Sequence, residues 1–192
     1  MITRLKFNNS IAFIALICLS LSMLLSGCQN EVSKEPEKLT EEEPEISQTE
    51  LDIDKAIEEG YKVWFVKNGD TPDFSKYDDY NTSTAMFQEY ETDSIVVATL
   101  SDQVEGFKGA FEAGHLTSFD EREIGSETTY FGNVAHRISY HTYRTNSTDS
   151  ITGRGVNSIQ LVKINGKWKI QSILRQVESN NYRLPAKYDS LR

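Results

Sequence analysis

The chain has 192 residues, of which 38% are hydrophobic and 26% are charged, and its mean hydropathy is −0.48. This composition fits one water-soluble domain with a short additional segment, and it excludes a polytopic membrane protein, collagen and a disulfide scaffold. The formal net charge of −9 repels phosphate backbones, so we expect no nucleic-acid partner.

The first 27 residues have the pattern of a signal peptide. Arg4 and Lys6 form a basic start, and an apolar stretch follows over residues 11–25. A bilayer-spanning helix needs about 20 apolar residues, so this stretch is short for an uncleaved transmembrane anchor, which is the alternative interpretation.

The apolar stretch closes with Leu25-Ser26-Gly27-Cys28, which resembles the lipobox of bacterial lipoproteins. That resemblance implies cleavage before Cys28, acylation of its thiol and attachment to membrane lipid in the bacterial cell envelope. Gln29 is not the Asp that resembles an inner-membrane retention signal, which favours the outer membrane in a cell that has one. Two or three acyl chains hold a protein stably, because each buried methylene contributes ~0.8 kcal/mol.

Residues 28–50 predict an acidic, disordered tether. After its first residue this segment holds eight Glu residues and two Lys residues, with two prolines and almost nothing apolar. Such a segment cannot offset its ordering entropy by burial. Because Cys18 and Cys28 are the only cysteines, a cysteine nucleophile or a Cys-ligated metal in residues 51–192 is excluded.

Residues 51–192 predict a single α+β domain that begins with helices. In the first helix, Tyr61 and Trp64 share an apolar face with Ile53 and Ile57 at helical spacing. The expected elements are, in chain order, a helix over residues 52–68, a short helical stretch through Phe74 and Tyr77, strands over residues 85–90 and 94–100, and a second long helix from a Ser101 cap to Gly114.

The last third predicts a meander of four antiparallel strands. They span residues 119–130, 134–144, 153–164 and 167–177. Asn165-Gly166 is the preferred dipeptide of a two-residue type I′ turn, which places Ile164 opposite Lys167 and sets the later pairs. On this register the apolar inner face carries Trp168, Ile170, Ser172 and Leu174 with Leu161, Ile159 and Asn157, and the polar outer face includes Ile173 and Arg175.

The strand over residues 134–144 supplies candidate site residues. The phase that buries Val134 and Ile138 also turns His136 and Tyr140 inward. An imidazole moves protons near neutral pH, and a tyrosine hydroxyl stabilises a developing oxyanion. A structural role in hydrogen bonding is the alternative. Conditional on the strand register across residues 145–152, the predicted inner cluster, and hence the candidate ligand pocket, consists of His136, Tyr140, Asn157 and Ser172.

Other charged groups receive structural interpretations. Strand alternation places Asp120 on one face and Glu121 and Glu123 on the other. This pattern is typical of an exposed or edge strand protected by charge. His141 lies on the opposite strand face from His136, where we expect solvent. The three histidines of the chain lack ligand spacing, so we expect neither a metal nor a cofactor.

Three segments of the last third resemble the NTF2-like (SnoaL-like) superfamily: 131–136, 153–161 and 166–170. The order of the predicted elements fits the same superfamily. The resemblance covers roughly residues 51–188. It implies an α+β cone, in which a curved antiparallel sheet packs against two to three N-terminal helices around a pocket. It implies no single activity, because the superfamily includes isomerases, cyclases, dehydratases and non-catalytic binding modules.

These features lead to three hypotheses of function. The first is a membrane-anchored, extracytoplasmic lipoprotein whose domain binds a small apolar or amphiphilic ligand, or a protein partner, without catalysis. The alternative is a small-molecule isomerase, cyclase or dehydratase of the SnoaL-like type with His136 as its acid–base group. The third is an envelope module that forms a homodimer through the outer sheet face, where Ile173 is the residue to test.

Overall fold

The computed structural model describes residues 46–146 and 150–191, with side chains as far as Tyr188. The signal peptide, Cys28 and the tether up to residue 45 lie outside the described residues. Within the described ranges, no helix combines the length and the apolar character needed to cross a membrane. The elements in chain order are helix α1 (Gln48–Lys62), a 3₁₀ turn (Phe74–Lys76), helix α2 (Tyr77–Tyr80), strands β1 (Asn81–Glu91) and β2 (Ser94–Thr99), helix α3 (Leu100–Glu112), strands β3 (Phe119–Phe131), β4 (Val134–Thr145), β5 (Gly153–Ile164) and β6 (Lys167–Val177), and a second 3₁₀ turn (Ala186–Leu191).

The six strands form one curved, mixed sheet in the order β2-β1-β6-β5-β4-β3. The C-terminal strands pair antiparallel, as the sequence predicts, whereas β1 and β6 run parallel. Helix α1 covers one sheet face, which we call the inner face, because its Ile53 and Ile57 pack against Ile159 and Ile170. The predicted α+β architecture is therefore confirmed.

Both long helices begin at capping boxes. Ser47 Oγ accepts the Glu50 backbone N–H, and the Glu50 carboxylate accepts the Ser47 N–H. Thr99 and Asp102 make the equivalent pair at the start of α3. The sequence prediction of a Ser101 cap is thus wrong by two residues, because a capping box satisfies two N–H groups at once.

The β5–β6 hairpin keeps its predicted turn. Ile164 pairs with Lys167, as the Asn-Gly dipeptide predicts, and the pairing continues to Leu161 opposite Ile170. Beyond that point Gln171 is an extra residue on β6, which forms a β-bulge. The turn fixes the register only as far as this bulge.

The bulge reverses which side chains of β6 face inward. Ile173 packs against the core and, with Arg175, lies on the inner face. Ser172 Oγ instead donates to Gln160 Oε1 at 2.9 Å on the outer face, and Leu174 is 41% exposed. The predicted inner positions of Ser172 and Leu174 are therefore wrong, because one inserted residue shifts the alternation by one.

Strand β4 presents the opposite face to the one predicted. Val134 is 55% exposed, and His136 and Tyr140 lie with it on the outer face. Both phases of this strand mix apolar and polar residues, so alternation alone does not choose between them. Polar partners on β3 and α1 stabilise the observed phase. The buried side chains of β4 include Ala135, Arg137, Ser139 and His141.

The segment after β6 folds back over part of the outer face. Leu184 and Tyr188 are both buried there. The Tyr188 ring lies 4.6 Å from the Tyr140 ring, and it covers Gly125, where any Cβ would clash with it. Arg154 Nη2 donates to the Tyr188 carbonyl at 2.6 Å, which ties the segment to β5.

Candidate functional site

A cavity of about 300 Å³ lies between the inner sheet face and helices α1 and α3. This volume is at the lower end of the ~300–1,000 Å³ typical of small-molecule sites. Trp64 forms part of the wall, with its ring 5.3 Å from that of Phe107, and so does not fill the space. The apolar lining comprises Ile57, Trp64, Phe87, Phe107, Phe119, Ile159, Ile170 and Ile173, with Val96 and Ala98 from β2.

Polar residues from six elements line the same cavity, among them Gln88 and Glu89 from β1 and Gln103 from α3. Tyr61 comes from α1, Glu121 from β3, Asn157 from β5 and Arg175 from β6. Asn157 Nδ2 donates to the Tyr61 hydroxyl oxygen at 3.0 Å and to Glu121 Oε1 at 3.1 Å. The Arg175 guanidinium lies 4.9 Å from the centre of the Tyr143 ring, a cation–π contact. The cavity thus joins apolar walls to a polar group of side chains.

Hydrogen bonds behind the cavity fix the direction of the Tyr61 hydroxyl. The Glu123 carboxylate accepts from Ser139 Oγ at 2.6 Å and from the Arg137 guanidinium. Because Ser139 uses its one O–H to donate to Glu123, its oxygen accepts the hydrogen bond from the Tyr61 O–H at 2.7 Å. Tyr61 then has no further proton to give, so Asn157 donates to it. The Tyr61 hydroxyl is therefore not a free donor towards the cavity.

Glu121 is a largely buried carboxyl, with a side chain that is 12% exposed. Burial raises its pKa above the ordinary value, while the Arg175 charge and the Asn157 hydrogen bond act in the opposite direction. The nearby Glu89 charge adds to the rise. A carboxyl with a raised pKa keeps its proton to higher pH than an exposed carboxyl does.

His141 lies behind the cavity rather than in its wall. Its side chain is 0% exposed, and burial, together with the Arg175 charge, lowers its pKa to about 3. Nε2 is 3.6 Å from Glu121 Oε1, which is too long for a hydrogen bond, and neither ring nitrogen has a partner in the described part of the chain. Gly155 makes room for the ring, because a Cβ there would lie 3.0 Å from His141 Cε1. The imidazole is neutral at physiological pH.

The structure does not bring the predicted site residues together. His136 Nε2 lies 2.8 Å from Ser158 Oγ on the outer face. Tyr140 packs under the C-terminal segment on that face, where Ser172 also lies. Of the four predicted residues, Asn157 lines the cavity. The predicted inward positions of the other three are wrong for the two reasons given above, the β4 phase and the β6 bulge.

Three of the polar residues of the cavity have no chemical role in the sequence prediction. Tyr61 is expected on the apolar helix face, Glu121 on an exposed or edge strand and Arg175 on the outer face. The sequence does contain a signal for such a site, because polar residues alternate along two neighbouring strands. They make one sheet face too polar for an ordinary core unless these groups pair with one another. These residues are Glu121, Glu123, Arg137, Ser139 and His141.

Metal ligation has no support in residues 46–146 and 150–191. No group of three or more His, Cys, Asp or Glu side chains there is arranged to hold an ion. The polar side of the cavity combines the carboxyls of Glu89 and Glu121 with carboxamides and the Arg175 guanidinium, and a guanidinium repels cations. The donor set therefore fits an organic molecule better than a metal.

Solved structures share this architecture. A protein of unknown function with a cystatin-like fold from Nostoc punctiforme matches with a TM-score of 0.55 and 17% identity, over 70% of this chain and 96% of its own. A protein from Kribbella flavida matches with a TM-score of 0.54 and 12% identity, over 67% of this chain and 90% of its own. An NTF2-like protein of unknown function from Pseudomonas putida matches with a TM-score of 0.52 and 10% identity, over 71% of this chain and 93% of its own.

These comparisons establish the fold class. The domain has the NTF2-like, or cystatin-like, α+β fold, which confirms the sequence prediction. No protein-family model matches the chain, and no curated protein matches it. At 10–17% identity the solved structures show the fold alone, so function is argued from the cavity.

Proposed function

We propose that the protein is a lipid-anchored, extracytoplasmic binding protein of the bacterial cell envelope, whose domain takes a small apolar or amphiphilic molecule in the cavity without catalysing a reaction on it. The observation that carries the proposal is a cavity of about 300 Å³ with apolar walls and convergent polar groups. Removing apolar ligand surface from water contributes roughly 25 cal/mol per Å². The polar groups then orient the ligand.

The arrangement of polar groups favours binding over turnover. His136, the group that the sequence offered for proton transfer, and Tyr140, the group that it offered for oxyanion stabilisation, lie on the outer face. The Tyr61 O–H donates a hydrogen bond to Ser139, so it is not free to stabilise a developing oxyanion. His141 is not part of the cavity lining. These facts support a receptor for a ligand rather than an acid–base catalyst.

The test is a titration with 1-aminoanthracene, an apolar fluorophore that brightens when it leaves water. The protein is the full chain carrying Cys28→Ser. Ala98 lines the cavity, whereas the adjacent Val97 points to the other side of β2 and is 54% exposed. Ala98→Phe should fill the cavity and weaken binding by at least about tenfold, or ~1.4 kcal/mol. Val97→Phe is the matched control and should leave the affinity within about twofold.

Three results are informative. Saturable binding that Ala98→Phe loses and Val97→Phe keeps supports the cavity as the binding site. Equal affinity in the parent and both variants contradicts it, because the probe then binds elsewhere. Absence of saturable binding by the parent contradicts the proposal as a whole.

Anchoring is tested separately through the two cysteines. Cells that express the chain should incorporate a labelled fatty acid into it and retain it in the membrane fraction. Cys28→Ser should remove both the label and the retention, because it removes the thiol to be acylated. Cys18→Ser, within the apolar stretch, is the control and should change neither. Unchanged labelling in Cys28→Ser would contradict lipidation at this residue.

Proton transfer by Glu121 on a bound ketone is the second candidate function. It is favoured by one observation: Glu121 lines the cavity with a pKa raised by burial. This carboxyl replaces His136, which lies outside the cavity. The test is exchange of the α-protons of 2-tetralone in D₂O, followed by NMR. Exchange above background that Glu121→Gln abolishes and the exposed control Glu127→Gln keeps would favour this candidate, and background exchange would exclude it for this ketone.

A further inference from the structure

The orientation of the Asn157 carboxamide follows from its neighbours. Its nitrogen donates to Tyr61 and Glu121, and the direction of the Tyr61 bond is fixed by Ser139. Nδ2 thus uses both of its hydrogens on these two partners. The carboxamide oxygen, Oδ1, is left as the group that this side chain has available for another molecule.

Two buried polar atoms on the cavity side chains have no protein partner. Asn157 Oδ1 accepts no hydrogen bond from any residue that the structure describes, and Arg175 Nε donates none to them. Both side chains line the cavity, and Asn157 is 4% exposed. Buried polar groups are costly without partners, so an acceptor and a donor here indicate a ligand that supplies one of each.

An ionic ligand group matches only one of these two atoms. A carboxylate can accept from Arg175 Nε, but it has no hydrogen for Asn157 Oδ1 and would lie near the Glu121 and Glu89 carboxyls. An ammonium can donate to Oδ1, but it has no lone pair for Arg175 Nε and would lie beside the Arg175 guanidinium. Either ion would also lose its hydration in a cavity with mainly apolar walls. A neutral group avoids both conflicts.

We propose that the molecule bound in the cavity carries a neutral group with both a hydrogen-bond donor and an acceptor, such as a primary amide, whose N–H reaches Asn157 Oδ1 and whose oxygen accepts from Arg175 Nε. This inference rests on the proposed binding function and names the chemical class of its ligand. The apolar part of the molecule lies against the aromatic walls, among them Trp64 and Phe107.

The test compares four naphthalene derivatives by isothermal titration calorimetry on the full chain carrying Cys28→Ser. The probes are 2-naphthamide, 2-naphthoate, 2-(aminomethyl)naphthalene and 2-acetylnaphthalene, which share one ring system and differ in the polar group. The amide alone is neutral and offers both a donor and an acceptor. We expect it to bind at least about tenfold more tightly than the other three.

Variants assign the preference to the named atoms. Asn157→Ala should bring the affinity for the amide down to that for the ketone, whereas Ser158→Ala, the next residue on the outer face, should leave the preference unchanged. If Asn157→Ala does not fold, the four-probe series on the parent decides alone. Tightest binding by the carboxylate or the amine, or equal binding by all four, overturns the inference and leaves the proposed function standing. No binding by any probe overturns both.

Discussion

Tyr61 shows how a single hydroxyl links the core to the cavity. It donates to Ser139 and accepts from Asn157, so its removal takes one hydrogen bond from each of two buried side chains. Because unsatisfied buried groups lose their hydration without compensation, Tyr61→Phe should lower the free energy of unfolding by about 1–3 kcal/mol. Chemical denaturation measures this loss.

Tyr130→Phe is the control for that change. Its hydroxyl also makes one side-chain hydrogen bond, to Ser47, but at an exposed position. Tyr130→Phe should lower the free energy of unfolding by less than ~0.5 kcal/mol. Equal losses of unfolding free energy in the two variants would contradict a larger contribution from the buried hydrogen bonds of Tyr61.

His141 makes stability depend on pH. Its pKa is about 3 in the folded protein against the ordinary 6.5, because it is buried and faces Arg175 from β6, with Glu121 from β3 nearby. Between these values the unfolded chain binds the extra proton, so the His141 contribution is complete above pH 6.5 and is lost as the pH falls towards 3. The loss is at most ~1.4 kcal/mol per pH unit.

The measurement compares His141→Gln with the parent by denaturant unfolding at several pH values. The contribution of Glu121 to stability changes with pH in the opposite direction. Because its pKa is raised in the folded protein, this contribution declines as the pH rises through that pKa. The difference between parent and variant isolates His141. It should shrink steadily as the pH falls below 6.5, and a constant difference would contradict a depressed pKa.

At the scale of elements, the sequence predicts what local chemistry determines. Asn165-Gly166 requires a tight turn with positive φ, and both residues have it, at 51° and 79°. The ends of β5 and β6 therefore lie where the sequence places them. The capping boxes at Ser47 and Thr99 are also visible in the local sequence, as Ser-x-x-Glu and Thr-x-x-Asp.

What the sequence could not predict depends on distant partners. The bulge at Gln171 is one residue long and leaves no local pattern, because Ser172 and Leu174 fit an inner face about as well as Ile173 and Arg175 do. The phase of β4 depends on Arg137, whose carboxylate partners lie on α1 and β3. Three of the four predicted site residues were placed wrongly for these two reasons, although the fold was predicted.

Gly155 is the place where element packing tolerates no side chain. A Cβ there would clash with the Gln176 carbonyl oxygen and press on the His141 ring. Since backbone of the paired strand β6 cannot move freely, Gly155→Ala should destabilise the protein by about 1–3 kcal/mol, measured by thermal or denaturant unfolding. Gly106 in α3 is the control, because a Cβ there meets nothing within 4 Å.

The control should change stability in the opposite direction. Alanine loses less backbone entropy than glycine in a helix, so Gly106→Ala should stabilise the protein by about 0.5–1 kcal/mol. A neutral Gly155→Ala would mean that β5 and β6 are farther apart than described.

At the scale of the whole molecule, we propose that the outer face associates with a second copy. Leu174, Ile95 and Val97 are exposed there at 41%, 54% and 54%. Leu174 replaces Ile173 as the residue to test, because Ile173 lies on the inner face. Leu174→Glu should convert a dimer to a monomer in sedimentation velocity runs. The control Leu51→Glu, on α1 at 48% exposure, should leave it dimeric. Identical sedimentation of parent and Leu174→Glu would contradict the contact.

The central claim is that the cavity between the sheet and the long helices receives a small molecule. The most direct measurement is a crystal structure of the protein grown with 2-naphthamide. We expect the naphthalene ring beside Trp64 and Phe107, with the amide nitrogen within hydrogen-bond distance of Asn157 Oδ1. A ring bound to the outer sheet face, or side chains closing the cavity in the presence of the probe, would contradict the claim.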